Sequence, residues 1–271
     1  MVNLLLVSHS RKLAEGAAEM VQQMVSSEVV KISIAAGIGD DHRELGTNAV
    51  EIAEAIQDIH STDGVLVLMD LGSAILSTEM ALDLIPSDIR ANVRICPAPF
   101  IEGAITAAVQ AGLGNSLEIV YQEAMASCQA KYSQLEEKSS GNSIKESVKE
   151  ISPTPDGKIK EIILTVRSLH GLHARPAVKF VQTAANFDAE IMVNNLTTNK
   201  GPASAKSLIA ITMLGVLKGH QIQVTAMGQQ QEEALEALSN LVENNFGEAL
   251  EEDQIIPGGA CQPKNKFVSS L

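Results

Sequence analysis

The chain has 271 residues, 45% of them hydrophobic, enough for one or two packed domains, and no apolar run approaches the ~18 residues needed to cross a bilayer. A formal net charge of −13 argues against nucleic acid or an anionic membrane as the main partner. Aromatic residues are 3% of the chain and Trp is absent, which disfavours stacking platforms, and three scattered cysteines (Cys96, Cys128, Cys261) suggest neither a zinc site nor a disulfide framework.

The chain opens with "MVNLLLVSHSRK", whose basic residues follow the apolar run, the wrong order for a signal peptide, so a soluble cytoplasmic protein is expected. "VNLLLVSH" reads as a strand buried on both faces of a parallel sheet. A helix is predicted from Lys12 to about Ser26, a strand at "VVKISIA", and a helix over "ELGTNAVEIAEAIQDI". A strand follows at "GVLVLMD", then a helix at "SAILSTEMALDLI", a strand at "NVRICPA", and one last helical region from about Gly103 to Ala130. Alternating strands and helices predict an α/β domain over residues 1–130, with a mostly parallel sheet covered on both faces. His42 and His60 fall in polar sequence and are expected at the surface.

Residues 131–157 are Ser-, Lys- and Glu-rich and end in Pro-Thr-Pro-Asp-Gly, a linker composition whose start extends the preceding helix. A second domain is predicted over 158–247, with strands at "KIKEIILTVR", "AEIMVNN" and "QIQVTAMG" and a short strand near "NKGPA". Its helices are predicted at "ARPAVKFVQTAANF", "SAKSLIAITMLG" and "QQEEALEALSNLVENNF". So few residues in that order suggest an α+β open-faced sandwich, an antiparallel sheet with helices on one face. Residues 248–271 show no periodicity and are expected to be a disordered tail.

Chemistry concentrates first at "SLHGLHARPAVKF". Gly171 permits a tight turn, and Pro176 suits the first turn of a helix, where its missing N–H costs nothing. His173 then sits at the helix mouth, where free N–H groups hold phosphate and Arg175 adds a guanidinium. A neutral imidazole is a nucleophile whose phosphorylated form can pass the group on. The alternative is a capping His173 beside a solvated Arg175, with His170 an ordinary loop residue.

"GLHARPAVKFV", "NKGPASAKSLIAITMLGVLKG" and "QIQVTAMG" together resemble the histidine-containing phosphocarrier (HPr) family of the bacterial phosphotransferase system, over essentially the whole second domain. The resemblance implies that His173 accepts phosphate from phospho-enzyme I on Nδ1, with Arg175 assisting. Ser207 matches a serine modified by a regulatory kinase in some members; otherwise it is simply the cap of the short helix.

A second constellation lies in the first domain. In an open parallel sheet, ligands bind beyond the carboxyl ends of strands. His9 follows the first strand and Asp70 ends the third; neighbouring strands would bring them together. A carboxylate on one ring nitrogen sets the tautomer and leaves the other free to attack phosphorus. Gly72 and Ser73 open a helix able to receive phosphate oxygens, and Ser8, Ser10 and Ser73 offer hydroxyl groups. The alternatives are a loop start at His9 and a helix N-terminal acid at Asp70.

"LLLVSHSRKLAEG" and "VLVLMDLGSAILSTEMA" resemble the A component of mannose-family phosphotransferase systems, and within it the phosphotransfer subunits of phosphoenolpyruvate-dependent dihydroxyacetone kinases. Asp-Leu-Gly-Ser-Ala in place of a Gly-Gly-Ser pattern after the aspartate, and the fusion to an HPr-like domain, favour the latter. The resemblance implies a homodimer of the first domain, phosphorylation of His9 on Nε2 and orientation of the ring by Asp70. It implies a relay from enzyme I through His173 and His9 to ADP on the kinase's nucleotide-binding subunit, and on to a dihydroxyacetone-binding subunit. No cofactor or metal is expected on this chain.

Some twenty residues follow the second domain, so a third, enzyme I-like segment is expected to be absent and a separate enzyme I to be required. The linker's r.m.s. span of roughly 25–30 Å would hold His173 near His9 at about millimolar effective concentration. Two other functions fit the same residues: a sugar-transporter A component feeding a B domain, and a regulator whose phosphorylation reports phosphoenolpyruvate supply.

Overall fold

A computed structural model describes residues 1–139, 159–169 and 171–247; the expected tail, most of the expected linker, and His170 lie outside the described residues. In the first domain, β1 (Asn3–Ser8), β2 (Ile32–Ala36), β3 (Val65–Met69) and β4 (Val93–Cys96) form a wholly parallel sheet in the order β2-β1-β3-β4. Register pairs Leu4 with Ile32 on one side of β1 and with Leu66 on the other. Strand alternation sends Leu5, Val7, Val67 and Met69 to one face, where helices α2 (Ala49–Ile59) and α3 (Ser73–Leu84) cover them. Leu4, Leu6, Leu66 and Leu68 face the other way, toward α1 (Arg11–Gln22), α5 (Phe100–Gly112) and α6 (Leu117–Ser139). Burial on both faces is why these strands read as unbroken apolar runs. A short helix α4 (Ser87–Arg90) precedes β4.

Local chemistry accounts for three departures from the predicted elements. The last helical region is two helices, because Gly114 at φ 78° ends α5 in a left-handed turn. The helix predicted from Glu44 begins only at Ala49, where the Asn48 side chain accepts from the Val50 N–H as N-cap. The preceding stretch instead pairs Glu44 with Ile38 and sends the Gly46 N–H to the carbonyl of His9. His42 and His60, expected at the surface, are half-buried, and His42 Nδ1 lies 3.6 Å from a Glu51 carboxylate oxygen.

The second sheet is antiparallel, in the order β5-β8-β6-β7, from β5 (Lys160–Thr165), β6 (Ala189–Asn195), β7 (Lys200–Ser204) and β8 (Gln221–Gly228). Ile222, Val224 and Ala226 of β8 point inward beneath α7 (Ala174–Ala185) and α9 (Gln231–Glu243), while alternate residues face out. The short helix α8 (Leu208–Met213) starts later than predicted because Ser207 accepts from the Ala210 N–H and caps it. Among the described residues no helix is long and apolar enough to cross a membrane.

Candidate functional site

Strand order reverses between β1 and β3, since the chain leaves β1 toward β2 on one side and returns to β3 on the other. The crevice at such a reversal is where open α/β sheets bind ligands. His9 and Asp70 leave the carboxyl ends of these two strands side by side. His9 Nδ1 is 3.0 Å from Asp70 Oδ1, and the His9 N–H donates to Asp70 Oδ2 at 2.9 Å. Ser8 Oγ and the Leu71 N–H complete the carboxylate's hydrogen bonds at 2.9 and 2.7 Å.

The Asp70 side chain is 7% exposed and that of His9 22%. Burial pushes the Asp70 carboxyl up, but hydrogen bonds from the His9 ring, the His9 N–H and the Ser8 hydroxyl together outweigh it and hold the group below its ordinary value of 3.8. An ionised carboxylate that accepts from Nδ1–H leaves Nε2 with its lone pair. That nitrogen lies 3.0 Å from Ser73 Oγ at the first residue of α3. Nε2 is therefore the nitrogen turned away from the carboxylate, at a helix N-terminus whose N–H groups favour anions.

The serines divide differently from the expectation that all would hold phosphate. Ser8 is fully buried, and its hydroxyl serves Asp70; its position, one residue before His9 on β1, puts it under the carboxylate. Ser10 caps α1 by accepting from the Leu13 N–H. Ser73 alone of the three faces Nε2. Gly72 has open space where a Cβ would stand, so it leaves room beside that nitrogen. An apolar cavity of about 410 Å³, lined in part by Asp70, Leu71, Gly72, Ile75 and Phe100, adjoins the site.

In the second domain, Gly171 adopts φ 63°, and a Cβ there would meet the Val216 carbonyl oxygen at 2.0 Å. This close approach, sealed by the Leu172 N–H donating to Val216 O, fixes the entry into α7. His173 is the N-cap residue by backbone position, but its side chain makes no cap hydrogen bond. The residue after it, Ala174, has φ 45°, a left-handed conformation that a side-chain-bearing residue adopts at some cost. Pro176 is buried in the first turn, where no N–H is needed.

The arginine beside His173 meets the first domain away from His9. Arg175 is turned to the first domain, where Nη2 donates to Gln23 Oε1 at 2.6 Å. Gln23 is the C-cap of α1, whose twelve residues separate it by about 18 Å from the end that carries His9. Ser207 donates to a Glu123 carboxylate oxygen of α6 at 2.7 Å. Neither Gln23 nor Glu123 carries a motif, and only their place in the fold marks them.

Comparison with known proteins matches each half of the chain separately. The family model for the PTS system fructose IIA component matches residues 3–121, and that for the PTS HPr component phosphorylation site matches residues 160–244. The phosphoryl donor subunit DhaM of the PEP-dependent dihydroxyacetone kinase of Escherichia coli K12 is 40% identical over 251 residues, covering 93% of this chain and 52% of that relative. The DhaM subunit of the PEP-dependent dihydroxyacetone kinase 2 of Listeria innocua is 43% identical over 123 residues, 45% of this chain and 96% of its own length. The chain belongs to the DhaM family. Its second half is also 44% identical to the solved HPr-C-His of Thermoanaerobacter tengcongensis, over 34% of this chain and 99% of that one, with a TM-score of 0.32. The chain spans about half the length of the longer DhaM relatives, 52% of the Escherichia coli one.

If His9 carries the phosphoryl group, Asp70→Ala is expected to slow transfer through it by roughly 10²–10⁴-fold, the usual worth of a group that holds and charge-balances a reacting side chain. The first domain should stay folded, because the sheet core does not include the carboxylate. Rapid-quench transfer rates and thermal unfolding of the same protein check both halves of the statement. Because the folded-state pKa is depressed, the stabilisation that Asp70 contributes is complete above 3.8 and is lost as pH falls through its lower folded value.

Proposed function

We propose that the chain is a two-histidine phosphoryl relay feeding a dihydroxyacetone kinase in the cytoplasm. The observation that carries the reading is the His9–Asp70–Ser73 arrangement, with a carboxylate on Nδ1 and Nε2 turned to a helix N-terminus. Phosphate enters from phospho-enzyme I onto His173 Nδ1. The His173 N–P bond then breaks as a bond forms between phosphorus and His9 Nε2. The Asp70 carboxylate balances the positive charge that grows on the attacking ring and keeps the Nδ1 proton in place. In the last step the His9 N–P bond breaks as an oxygen of the ADP terminal phosphate takes the group, on the nucleotide-binding subunit of the kinase. That subunit phosphorylates dihydroxyacetone held by a third subunit. Arg175 and the first-turn N–H groups of α7 offset phosphate charge while the group rests on His173.

The surface around His9 suits a protein partner. Leu13 and Leu71, near the site, are 45% and 57% exposed. A homodimer of the first domain is part of the same proposal. Leu76, Met80 and Leu84 form an exposed apolar stripe on α3.

The test is discharge. Chain labelled with phosphate should pass the label to ADP when the nucleotide-binding subunit is added. Label that moves instead to a sugar-transporter B domain supports the transporter function. Label that remains on His9 with every acceptor supports the regulator.

A further inference from the structure

We propose that the α1–α5–α6 face of the first domain is a resting dock for the chain's own carrier domain, keyed by Ser207 on Glu123 and Arg175 on Gln23, and that it must open before phosphate moves. Polar contacts cross this face. Ser207 Oγ donates to Glu123 Oε2 at 2.7 Å, Arg175 Nη2 donates to Gln23 Oε1 at 2.6 Å, and Gln110 Nε2 donates to the Lys206 carbonyl at 3.2 Å. Apolar packing joins them: α8 lies against α6 and α5, and Leu208 and Ile209 are only 5% and 8% exposed. The buried core on this side of the parallel sheet runs without a break into that of the second domain.

The contacts use the parts of the carrier that flank His173, the first turn of α7 and the start of α8. A domain held this way presents Arg175 to the first domain rather than to phosphate. It also covers α8, and it holds Arg175 at the end of α1 remote from His9. Transfer between ring nitrogens needs the reacting atoms about 3–3.5 Å apart, so the docked arrangement stores the carrier and does not discharge it. This consequence rests on the relay; the dock itself does not.

Glu123 makes the key sensitive to charge. Burial pushes its carboxyl above its ordinary value, partly offset by the Ser207 hydroxyl. Ser207 is fully used, donating to Glu123 while accepting from the Ala210 N–H. Aspartate at position 207 can still accept from Ala210, since it is as good an N-cap as serine. It cannot donate to Glu123 and sets two carboxyl groups against each other. A phosphate placed on Ser207 would act in the same direction.

The experiment is hydrogen exchange and small-angle X-ray scattering on the full, unphosphorylated chain, so a failure of the relay cannot be mistaken for a failure of the dock. In Ser207→Asp, amides of α6 and α8 should exchange about ten-fold or more faster, and the radius of gyration should rise, because like charges in contact oppose association strongly. Strand β8 should keep its protection, showing that the carrier domain is folded. Adding Glu123→Lys to Ser207→Asp should restore both protection and compactness. Glu123→Ala alone, which leaves the carrier domain untouched, should open the dock in the same sense. Faster exchange in α8 with α6 unchanged, or wild-type behaviour in both Ser207→Asp and Glu123→Ala, overturns the proposal.

Discussion

His173→Ala is expected to reduce labelling of the intact chain by enzyme I and labelled phosphoenolpyruvate to background. His173 stands at the mouth of α7, next to Ala174 in a left-handed conformation and two residues before Arg175, and replacing it removes the nitrogen proposed to take the phosphate. The variant should fold, because the α7 core, Val178, Phe180 and Val181, is untouched. The measurement is acid-labile phosphate per chain with no separate HPr present, alongside a thermal melt. Full labelling of the folded variant would reverse the order of the relay, with enzyme I loading His9 directly.

His9→Ala should trap phosphate on His173. The proposed upstream half keeps its residues, because His173 and Arg175 both lie in the second domain. The proposed acceptor nitrogen is gone, and His42 and His60, the other first-domain histidines, do not stand against Asp70. The fold should persist, since Asp70 keeps the Ser8 hydroxyl and two backbone N–H donors after the ring is lost. A single acid-labile phosphate per chain is expected, stable to the nucleotide-binding subunit and ADP, with no dihydroxyacetone phosphate formed. Adding separate first domain, residues 1–130, should restore turnover, because each site is self-contained. Product formation by His9→Ala alone would mean that phosphate leaves directly from His173, and the role given to the first domain would be wrong.

The part of the site that could be read without coordinates is the part carried by local pattern. "LLLVSH" and "VLVLMD" show where two buried strands end, and hence which polar residues stand at a sheet's carboxyl edge. "GLHARPA" shows a turn, a helix start and a nucleophile within a few residues. These features depend on backbone preference and burial over a short span, which neighbouring residues dictate. Ser8 was harder. It reads as one more hydroxyl near phosphate, yet β1 alternation buries it under Asp70, a consequence of side-chain direction rather than composition.

The amino-acid sequence by itself determined an α/β unit followed by an α+β unit, the strand ends that hold His9 and Asp70, and the helix mouth that holds His173. Tertiary structure alone decided that Nδ1 of His9 meets the carboxylate while Nε2 faces Ser73. It alone decided that α1, α5 and α6 form one face, and that Gln23, Gln110 and Glu123 on that face meet Arg175, Lys206 and Ser207. The physical reason is range. Strand burial and helix starts follow from interactions between residues a few positions apart. Ring orientation joins residues sixty-one positions apart, and the dock joins residues 84 to 152 positions apart, set by the packing of whole elements, for which no short stretch carries a signal.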